Sequence, residues 1–152
     1  GKGSTFTIRL PKSPPPVATP APAGAVSVPA RSRVLVIEDQ KDARESLRML
    51  LELDQHAVET ASSGREGVAK FDAFAPDVVV VDIGLPEMNG FEVARAIRSR
   101  EHGKSARLIA LTGYSASEDP RWSGERAFDH LLTKPVAYEE LRPLLAAQQR
   151  AA

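Results

Sequence analysis

The sequence of 152 residues contains no cysteine, has no excess of either charge and carries no long hydrophobic run. Without cysteine the chain can form no disulfide, no thiolate metal site and no cysteine nucleophile, which agrees with a reducing compartment. Basic and acidic side chains both number 20, so the chain lacks the basic excess typical of nucleic-acid binding. Its apolar runs are far shorter than a membrane span. We therefore expect a soluble domain with no direct nucleic-acid partner.

What the chain does have is a hydrophobic fraction of 42%, which is enough for one core. Residues 12–32, KSPPPVATPAPAGAVSVPARS, are rich in proline and alanine and show no apolar period. They are predicted to form a semi-extended linker. The chain begins at Gly1 rather than at a methionine, and we expect it to be a piece of a longer protein.

From Arg33 onward the pattern alternates between strand and helix five times. The predicted strands span 33–37, 56–61, 77–81, 107–112 and 128–132. Such alternation in a short chain predicts a parallel sheet with helices on both faces, which is a small doubly wound α/β domain.

The predicted helices are amphipathic and carry recognisable capping residues. The first is expected to bury Ala43, Leu47, Leu50 and Leu51. Ser63 and Glu66 form a capping-box pattern for a helix that buries Val68, Phe71 and Phe74, and Asn89 can cap one that buries Phe91, Ala94 and Ile97. The stretch after the fourth strand contains Pro120 and Gly124 and is poorly helical, and Trp122 within it is either a partly buried anchor or part of a contact surface. The last helix, 137–148, should be kinked at Pro143.

Four consecutive valines end on a carboxylate in the stretch VVVVDIGLPEMNG, which runs from Val78 to Gly90. A run of β-branched residues suits a strand that is covered on both faces, and ligand sites in such sheets lie at the carboxyl ends of the strands. The same edge should carry Glu38 and Asp39 after strand one, Asp82 after strand three, Thr112 after strand four and Lys134 after strand five.

Three carboxylates at one edge repel each other unless a cation lies among them. Oxygen ligands of this kind suit Mg²⁺, and with Lys134 the charges then sum to zero. Asp82 becomes a plausible nucleophile for a phosphoryl group, and Thr112 and Lys134 would contact its oxygens. A Glu-Asp pair after a strand is, by itself, more often a turn or helix cap than a metal site.

Four motifs in order resemble the receiver domain of two-component response regulators: IEDQKD at 37–42, VDIGLPEMNG at 81–90, LTG at 111–113 and LLTKP at 131–135. The resemblance covers residues 33–148. It implies a five-stranded flavodoxin-like (βα)5 fold and a phosphoacceptor, Asp82, whose catalytic partners are Thr112 and Lys134. It also implies that Glu38, Asp39, Asp82 and the backbone carbonyl of Gly84 bind Mg²⁺, and that the Lys134–Pro135 bond is cis.

The first eleven residues, GKGSTFTIRLP, resemble the end of the ATP-binding domain of histidine kinases. The resulting order is a kinase remnant at 1–11, a linker at 12–32, a receiver at 33–148 and a tail at 149–152. This is the order of a hybrid histidine kinase. It implies a cytoplasmic phosphoacceptor domain in a parent phosphotransferase that can be membrane-associated. The implied partner is a phosphohistidine-bearing kinase domain or a histidine phosphotransfer protein.

Two alternatives stay open on the sequence. One is a degenerate receiver that only docks to a partner. The other is a Mg²⁺-dependent phosphohydrolase with an aspartate nucleophile, of the haloacid dehalogenase type. That family needs a second Asp two residues after the nucleophile, where this chain has Gly84. Three residues before Lys134, the receiver family commonly has an aromatic residue or His that responds to phosphorylation, whereas this chain has Leu131.

Overall fold

A computed structural model describes residues 31–113 and 127–145. Its five strands are β1 (Arg33–Ile37), β2 (Ala57–Ala61), β3 (Val78–Asp82), β4 (Arg107–Thr112) and β5 (His130–Thr133). The helices in these ranges are α1 (Lys41–Leu53), α2 (Gly64–Phe74), α3 (Gly90–Arg98) and α4 (Tyr138–Leu141). Short 3-10 turns lie at His102–Lys104 and Arg142–Leu144. No helix in the described part of the chain is both long and apolar enough to cross a bilayer.

The five strands form one parallel sheet in the order β2-β1-β3-β4-β5. This is the flavodoxin-like order, so the predicted fold class is confirmed. The chain first winds from β1 to β2 in one direction and then from β3 to β5 in the other. The strand order therefore reverses between β1 and β3, and ligand sites of such folds lie in the crevice at that point.

Alternate residues of the central strands face opposite sides of the sheet, and each side has its own core. On one side α2 and α3 pack their apolar residues, among them Phe71, Phe91 and Ile97, against Leu35 and Val79. On the other side Leu51, Leu141 and Leu145 pack against Val34 and Val80. All four valines of β3 are buried, as expected for a strand that is covered on both faces.

Helix α1 differs from its prediction in which residues it buries. Leu51 is buried and Leu47 packs partly against the same core, but Leu50 is exposed. Leu50 has the helical spacing of a buried residue, but the part of the α1 surface that packs against the sheet is narrower than the apolar stripe in the sequence. The prediction that Leu50 is buried was wrong.

The predicted caps of α2 and α3 are present, with one change. The Asn89 side chain accepts hydrogen bonds from Phe91 N and Glu92 N, and Glu92 completes a capping box. Ser63 accepts a bond from Glu66 N, but the Glu66 carboxylate accepts from Ser62 N instead of Ser63 N. The hydrogen bond from the backbone to Glu66 therefore comes from Ser62, one residue before the predicted donor, Ser63.

Several boundaries also differ from the sequence expectation. β2 begins at Ala57 rather than 56, β3 includes Asp82, and β5 spans His130–Thr133 instead of 128–132. Pro143, predicted to kink a helix over 137–148, lies instead in the 3-10 turn that follows α4, and the α-helical part ends at Leu141. The predictions for Pro120, Trp122 and Gly124, and for the helix beyond Leu145, lie outside the described residues.

Candidate acidic site at the sheet switch point

The predicted site residues meet at the carboxyl edge of the sheet, next to the reversal of strand order. Glu38 directly follows β1, and Asp82 is the last residue of β3, the strand that pairs with β1. Thr112 ends β4, and Lys134 directly follows β5. The three histidines lie elsewhere: His56 and His102 precede β2 and β4, and His130 begins β5.

Lys134 connects the two buried acids of the site. Its Nζ lies 2.7 Å from Glu38 Oε2 and 2.8 Å from Asp82 Oδ2. The Glu38 side chain is only 1% exposed, whereas Lys134 is 28% exposed. A buried carboxylate requires a charge partner or hydrogen-bond donors, and Lys134 supplies both to Glu38 and Asp82 together.

The backbone around Asp82 fixes the orientation of its carboxylate. Gly84 N donates to Asp82 Oδ1 at 2.9 Å, so the two carboxylate oxygens have different donors. Gly90 N donates to Ile83 O, and a Cβ on Gly90 would lie 2.7 Å from the Asp82 carbonyl oxygen. The turn after β3 can therefore close against the strand only with glycine at position 90, which explains that residue in the motif.

Asp39 completes a cluster of three acids with Glu38 and Asp82. One carboxylate oxygen from each lies within 4.8 Å of the others. Asp39 is exposed, whereas Glu38 and Asp82 are buried, so the cluster is open to solvent on one side. The oxygen donors suit a hard divalent cation, and one open side leaves room for water or a ligand oxygen. The residues therefore fit a metal ion.

The pKa values reflect this crowding. Burial raises the pKa of the Glu38 carboxyl, and the Asp82 charge adds to that, although the hydrogen bond from Lys134 opposes both. For Lys134, burial acts to lower the pKa, but the hydrogen bonds to Asp82 and Glu38 outweigh it, and the pKa is raised. Lys134 is accordingly a permanent positive charge at neutral pH.

Thr112 lies at the rim on the side of β5. Its side chain is buried, and its carbonyl oxygen accepts the Lys134 N–H at 2.7 Å. The same bond holds the backbone of Lys134 at the edge of the sheet. The next residue, Gly113, is exposed, and a Cβ there would meet nothing within 4 Å. The peptide bond between Lys134 and Pro135 is cis, as expected.

Arg44 of α1 contacts the site and is not among the site residues predicted from the sequence. Its Nη1 donates to the carbonyl of Glu38 at 2.7 Å and to that of Asp39 at 3.2 Å. Gln40 N donates to Glu38 Oε1 at 3.2 Å. These bonds hold the loop that presents both acids. A positive charge near the start of a helix, where the macrodipole disfavours it, was the available signal.

Fold and site together define a class of protein. A doubly wound domain presents an aspartate at its switch point, next to an acid pair that suits a cation and a lysine that stays charged. The chain belongs to the response regulator receiver domain family, whose model matches residues 34–146. It is thus a receiver domain of two-component signalling.

Named relatives agree with this assignment. The chain is 31% identical over 151 residues to the sensor histidine kinase AtsR of Burkholderia thailandensis, an alignment that covers 96% of this chain and 25% of the kinase. The chain spans a quarter of the length of that kinase and about half the length of several response regulators that it matches.

Solved structures agree as well. TrrA of Thermotoga maritima, a response regulator in complex with Mg²⁺ and BeF, is similar with a TM-score of 0.65 and 34% identity, over 74% of this chain and 94% of TrrA. The receiver domain of the sensor histidine kinase PA1611 of Pseudomonas aeruginosa has a magnesium ion coordinated in its active-site cleft. It is similar with a TM-score of 0.67 and 25% identity, over 76% of this chain and 95% of that domain.

Proposed function

We propose that Asp82 accepts a phosphoryl group from a phosphohistidine and holds it as an aspartyl phosphate. The contact that carries this proposal is the Lys134 ammonium, 2.8 Å from one oxygen of Asp82, beside an acid pair on the open side of the site. This arrangement places positive charge where the phosphoryl oxygens would lie and leaves the carboxylate accessible from one direction.

The reaction is a displacement at phosphorus. A carboxylate oxygen of Asp82 forms a new P–O bond, the P–N bond to the donor imidazole breaks, and the imidazole leaves with the bonding electron pair and takes a proton from solvent. Lys134 and Thr112 would contact the phosphoryl oxygens during transfer. Because Lys134 is already at the carboxylate, little rearrangement is needed before the reaction.

Glu38, Asp39, Asp82 and the Gly84 carbonyl would hold Mg²⁺. The bound ion would supply positive charge that offsets the carboxylates and the phosphoryl oxygens. The support in this chain is the cluster of three carboxylates, of which Lys134 neutralises only one charge. Mg²⁺ in the similar TrrA and PA1611 structures supports the choice of metal.

The wider architecture is also a proposal. We infer that residues 1–11 end a kinase ATP-binding domain, that 12–32 are a linker, that 33–148 are the receiver and that 149–152 are a tail. The alignment with AtsR supports this order because it covers 96% of the chain, more than the receiver alone. The phosphodonor would then be the histidine of a kinase domain or of a phosphotransfer protein.

The test is incubation of the chain with acetyl phosphate and MgCl₂, followed by intact mass measurement. We expect one phosphoryl adduct in the native chain and none in Asp82→Asn. The matched control is Asp72→Asn, which changes an exposed acid of α2 that pairs with Arg100, and it should be phosphorylated like the native chain.

The same assay separates the alternatives. A degenerate docking domain would give no adduct in any variant. A phosphohydrolase would turn over phosphate esters repeatedly, but the site has Gly84 where that chemistry needs a second aspartate. An adduct that persists in Asp82→Asn, on serine or threonine, would refute the assignment of Asp82.

A further inference from the structure

The loop between β1 and α1 consists of Glu38, Asp39 and Gln40 and carries two of the three clustered acids. The Glu38 carboxylate is held directly, by Lys134 Nζ at 2.7 Å and by Gln40 N at 3.2 Å. Asp39 differs, because it is exposed and no residue in the described ranges forms a hydrogen bond or an ion pair with its carboxylate. The direction of the Asp39 side chain therefore depends on the backbone that carries it.

The start of α1 lacks the side-chain cap that restrains other loops of this domain. Helices α2 and α3 are preceded by Ser63 and Asn89, whose side chains accept backbone hydrogen bonds. Gln40 occupies the same position before α1, and its side chain makes no such bond. Because a cap bond restrains the chain that enters a helix, the loop before α1 needs another restraint.

Arg44, one turn into α1, supplies that restraint. Its Nη1 donates to the Glu38 carbonyl at 2.7 Å and to the Asp39 carbonyl at 3.2 Å, and its backbone N donates to the Gln40 carbonyl at 3.0 Å. All three carbonyls of the loop thus accept hydrogen bonds from one residue. The Arg44 side chain is half-buried, and within the described ranges it forms no ion pair with the site acids. Its contact with the site is therefore with the backbone.

The charge of Arg44 and its hydrogen bonds have opposite effects on a metal ion. A guanidinium next to the loop that carries two of the acids repels a divalent cation, so loss of the charge alone would strengthen Mg²⁺ binding. Groups that orient metal ligands act the other way, and their loss typically weakens metal binding about 10- to 100-fold. The sign of the change in Mg²⁺ affinity on removal of Arg44 therefore decides which effect is larger.

We propose that Arg44 is a positioning residue of the Mg²⁺ site, which holds the Asp39 backbone so that its carboxylate faces Glu38 and Asp82. This inference rests on the proposed function, because it concerns the same metal site. Without Arg44 the Asp39 carboxylate would sample other directions, and metal binding would have to order it again. Arg44 contributes no metal ligand, since a guanidinium has no acceptor atom.

Titration of the 152-residue chain with MgCl₂, without a phosphodonor, tests the proposal through the amide chemical shift of Gly84. Gly84 N donates to the Asp82 carboxylate, so its amide reports on the site. Arg44→Met keeps a long, helix-compatible side chain and should raise the dissociation constant of Mg²⁺ about tenfold. The matched control is Arg48→Met, which removes the same charge one turn further along α1 from an arginine that pairs with two glutamates. It should bind Mg²⁺ at least as tightly as the native chain.

The Mg²⁺ dependence of Asp82 phosphorylation by acetyl phosphate separates positioning from a loss of folding. In Arg44→Met the half-maximal rate should require about tenfold more Mg²⁺, while the rate at saturating Mg²⁺ stays within about twofold of the native rate. A variant that is partly unfolded would instead lose rate at every Mg²⁺ concentration.

A dissociation constant in Arg44→Met that is equal to or below the native value would overturn the proposal. Equal weakening in Arg44→Met and Arg48→Met, or a loss of rate that saturating Mg²⁺ does not restore, would overturn it as well. A native chain whose Gly84 amide does not respond to MgCl₂ would instead contradict the metal site of the proposed function, so the two failures are distinguishable.

Discussion

At the residue scale, Asp39 and Asp82 are chemically identical but have different surroundings. Asp82 is buried and bonded to Lys134 and Gly84, which hold its carboxylate in place. Asp39 is exposed at the mouth of the site. The fold therefore suits one aspartate to be the fixed acceptor and leaves the other available to a metal ion.

Changing Asp39 to Ala should abolish phosphorylation of Asp82 at acetyl phosphate concentrations that saturate the native chain. Two acids would remain with Lys134, and without Asp39 they should no longer retain Mg²⁺. The measurement is intact mass with MgCl₂, and EDTA should have the same effect on the native chain. Because Asp39 is exposed, the free energy of unfolding should change by less than about 0.5 kcal/mol. Undiminished phosphorylation in EDTA would show that Glu38 and Asp39 only cap the loop.

At the element scale, the start of β1 is tied to the turn before β2 and to the end of the domain. His56 Nδ1 accepts the Ser32 N–H, and the Ser32 hydroxyl donates to Leu145 O at 2.7 Å, across 113 residues. Ser32 is fully buried and His56 is nearly so. The hydrogen bond from Ser32 N requires an unprotonated Nδ1, so this contact between β1 and the turn before β2 depends on a neutral His56.

We expect the free energy of unfolding to fall as pH drops below about 6.5, the usual pKa of histidine. Burial lowers the pKa of His56, the Asp54 charge and the hydrogen bond with Ser32 partly oppose this, and Arg142 adds to the lowering. The unfolded chain then binds the proton more readily than the folded chain. The contribution of His56 to the free energy of unfolding is therefore present at higher pH and is lost as pH falls, by at most about 1.4 kcal/mol per pH unit for one proton.

Tyr138 donates a hydrogen bond to Asp54. Burial and then that bond raise the pKa of Tyr138 to about 12, so Tyr138 does not titrate in this pH range.

Urea unfolding between pH 8 and pH 5 checks this expectation. His56→Gln keeps a hydrogen-bond acceptor without a proton-binding site, so its stability should decline less over that range. His102→Gln, at an exposed position, should follow the native chain. An identical pH dependence in native chain and His56→Gln would contradict the expectation.

Arg98 joins several elements at the other end of the sheet. Its guanidinium donates to the carbonyls of Gly103, Ala106 and Ala127 and to the carboxylate of Asp129. Arg98→Met would remove the side-chain donor to the three carbonyls and leave Asp129 with the bond from Leu108 N, and it should lower the free energy of unfolding by about 2–4 kcal/mol. Arg100→Met, which loses an exposed pair with Asp72 and one bond to the Ala96 carbonyl, should cost about 1 kcal/mol in the same urea titration. Equal losses in the two variants would refute this role of Arg98.

At the scale of the whole molecule, the question is how far phosphorylation acts from Asp82. Leu131 lies in β5, paired with Ala110 of β4, and packs partly against the core on the side of α2 and α3. An aromatic residue at this position could rotate its ring into space that opens near Thr112 on phosphorylation, or keep a polar group in solvent. Leucine can do neither. Its burial should therefore differ little between the two states.

We predict that beryllofluoride, a phosphoryl mimic, changes amide chemical shifts at Thr112 and the residues after it but changes them little in β5 and α4. Such a local response suits a relay in which the partner contacts the rim directly. Leu131→Tyr, which restores a ring at this position, should spread the shifts into β5. Large shifts throughout 128–148 in the native chain, or dimerisation through them, would contradict the prediction.

The sequence by itself determined the strand pattern and the members of the acidic site. β1 and β4 have their predicted bounds, and Glu38, Asp82, Thr112 and Lys134 do meet at one edge. Both results depend on local rules: burial on two faces favours runs of β-branched residues, and parallel strands place their carboxyl ends together. Whether these residues perform their proposed roles remains a prediction.

Tertiary structure alone decided which of two equivalent helix positions is buried, where β5 begins and what Arg98, Arg44 and Ser32 contact. Leu50 and Leu51 are both apolar on α1, yet only Leu51 faces the sheet. Ser32 and Leu145 are bonded across 113 residues of separation. Hydrophobic period and capping act over a few residues, whereas these contacts depend on how completed elements pack together, which no short stretch of sequence specifies.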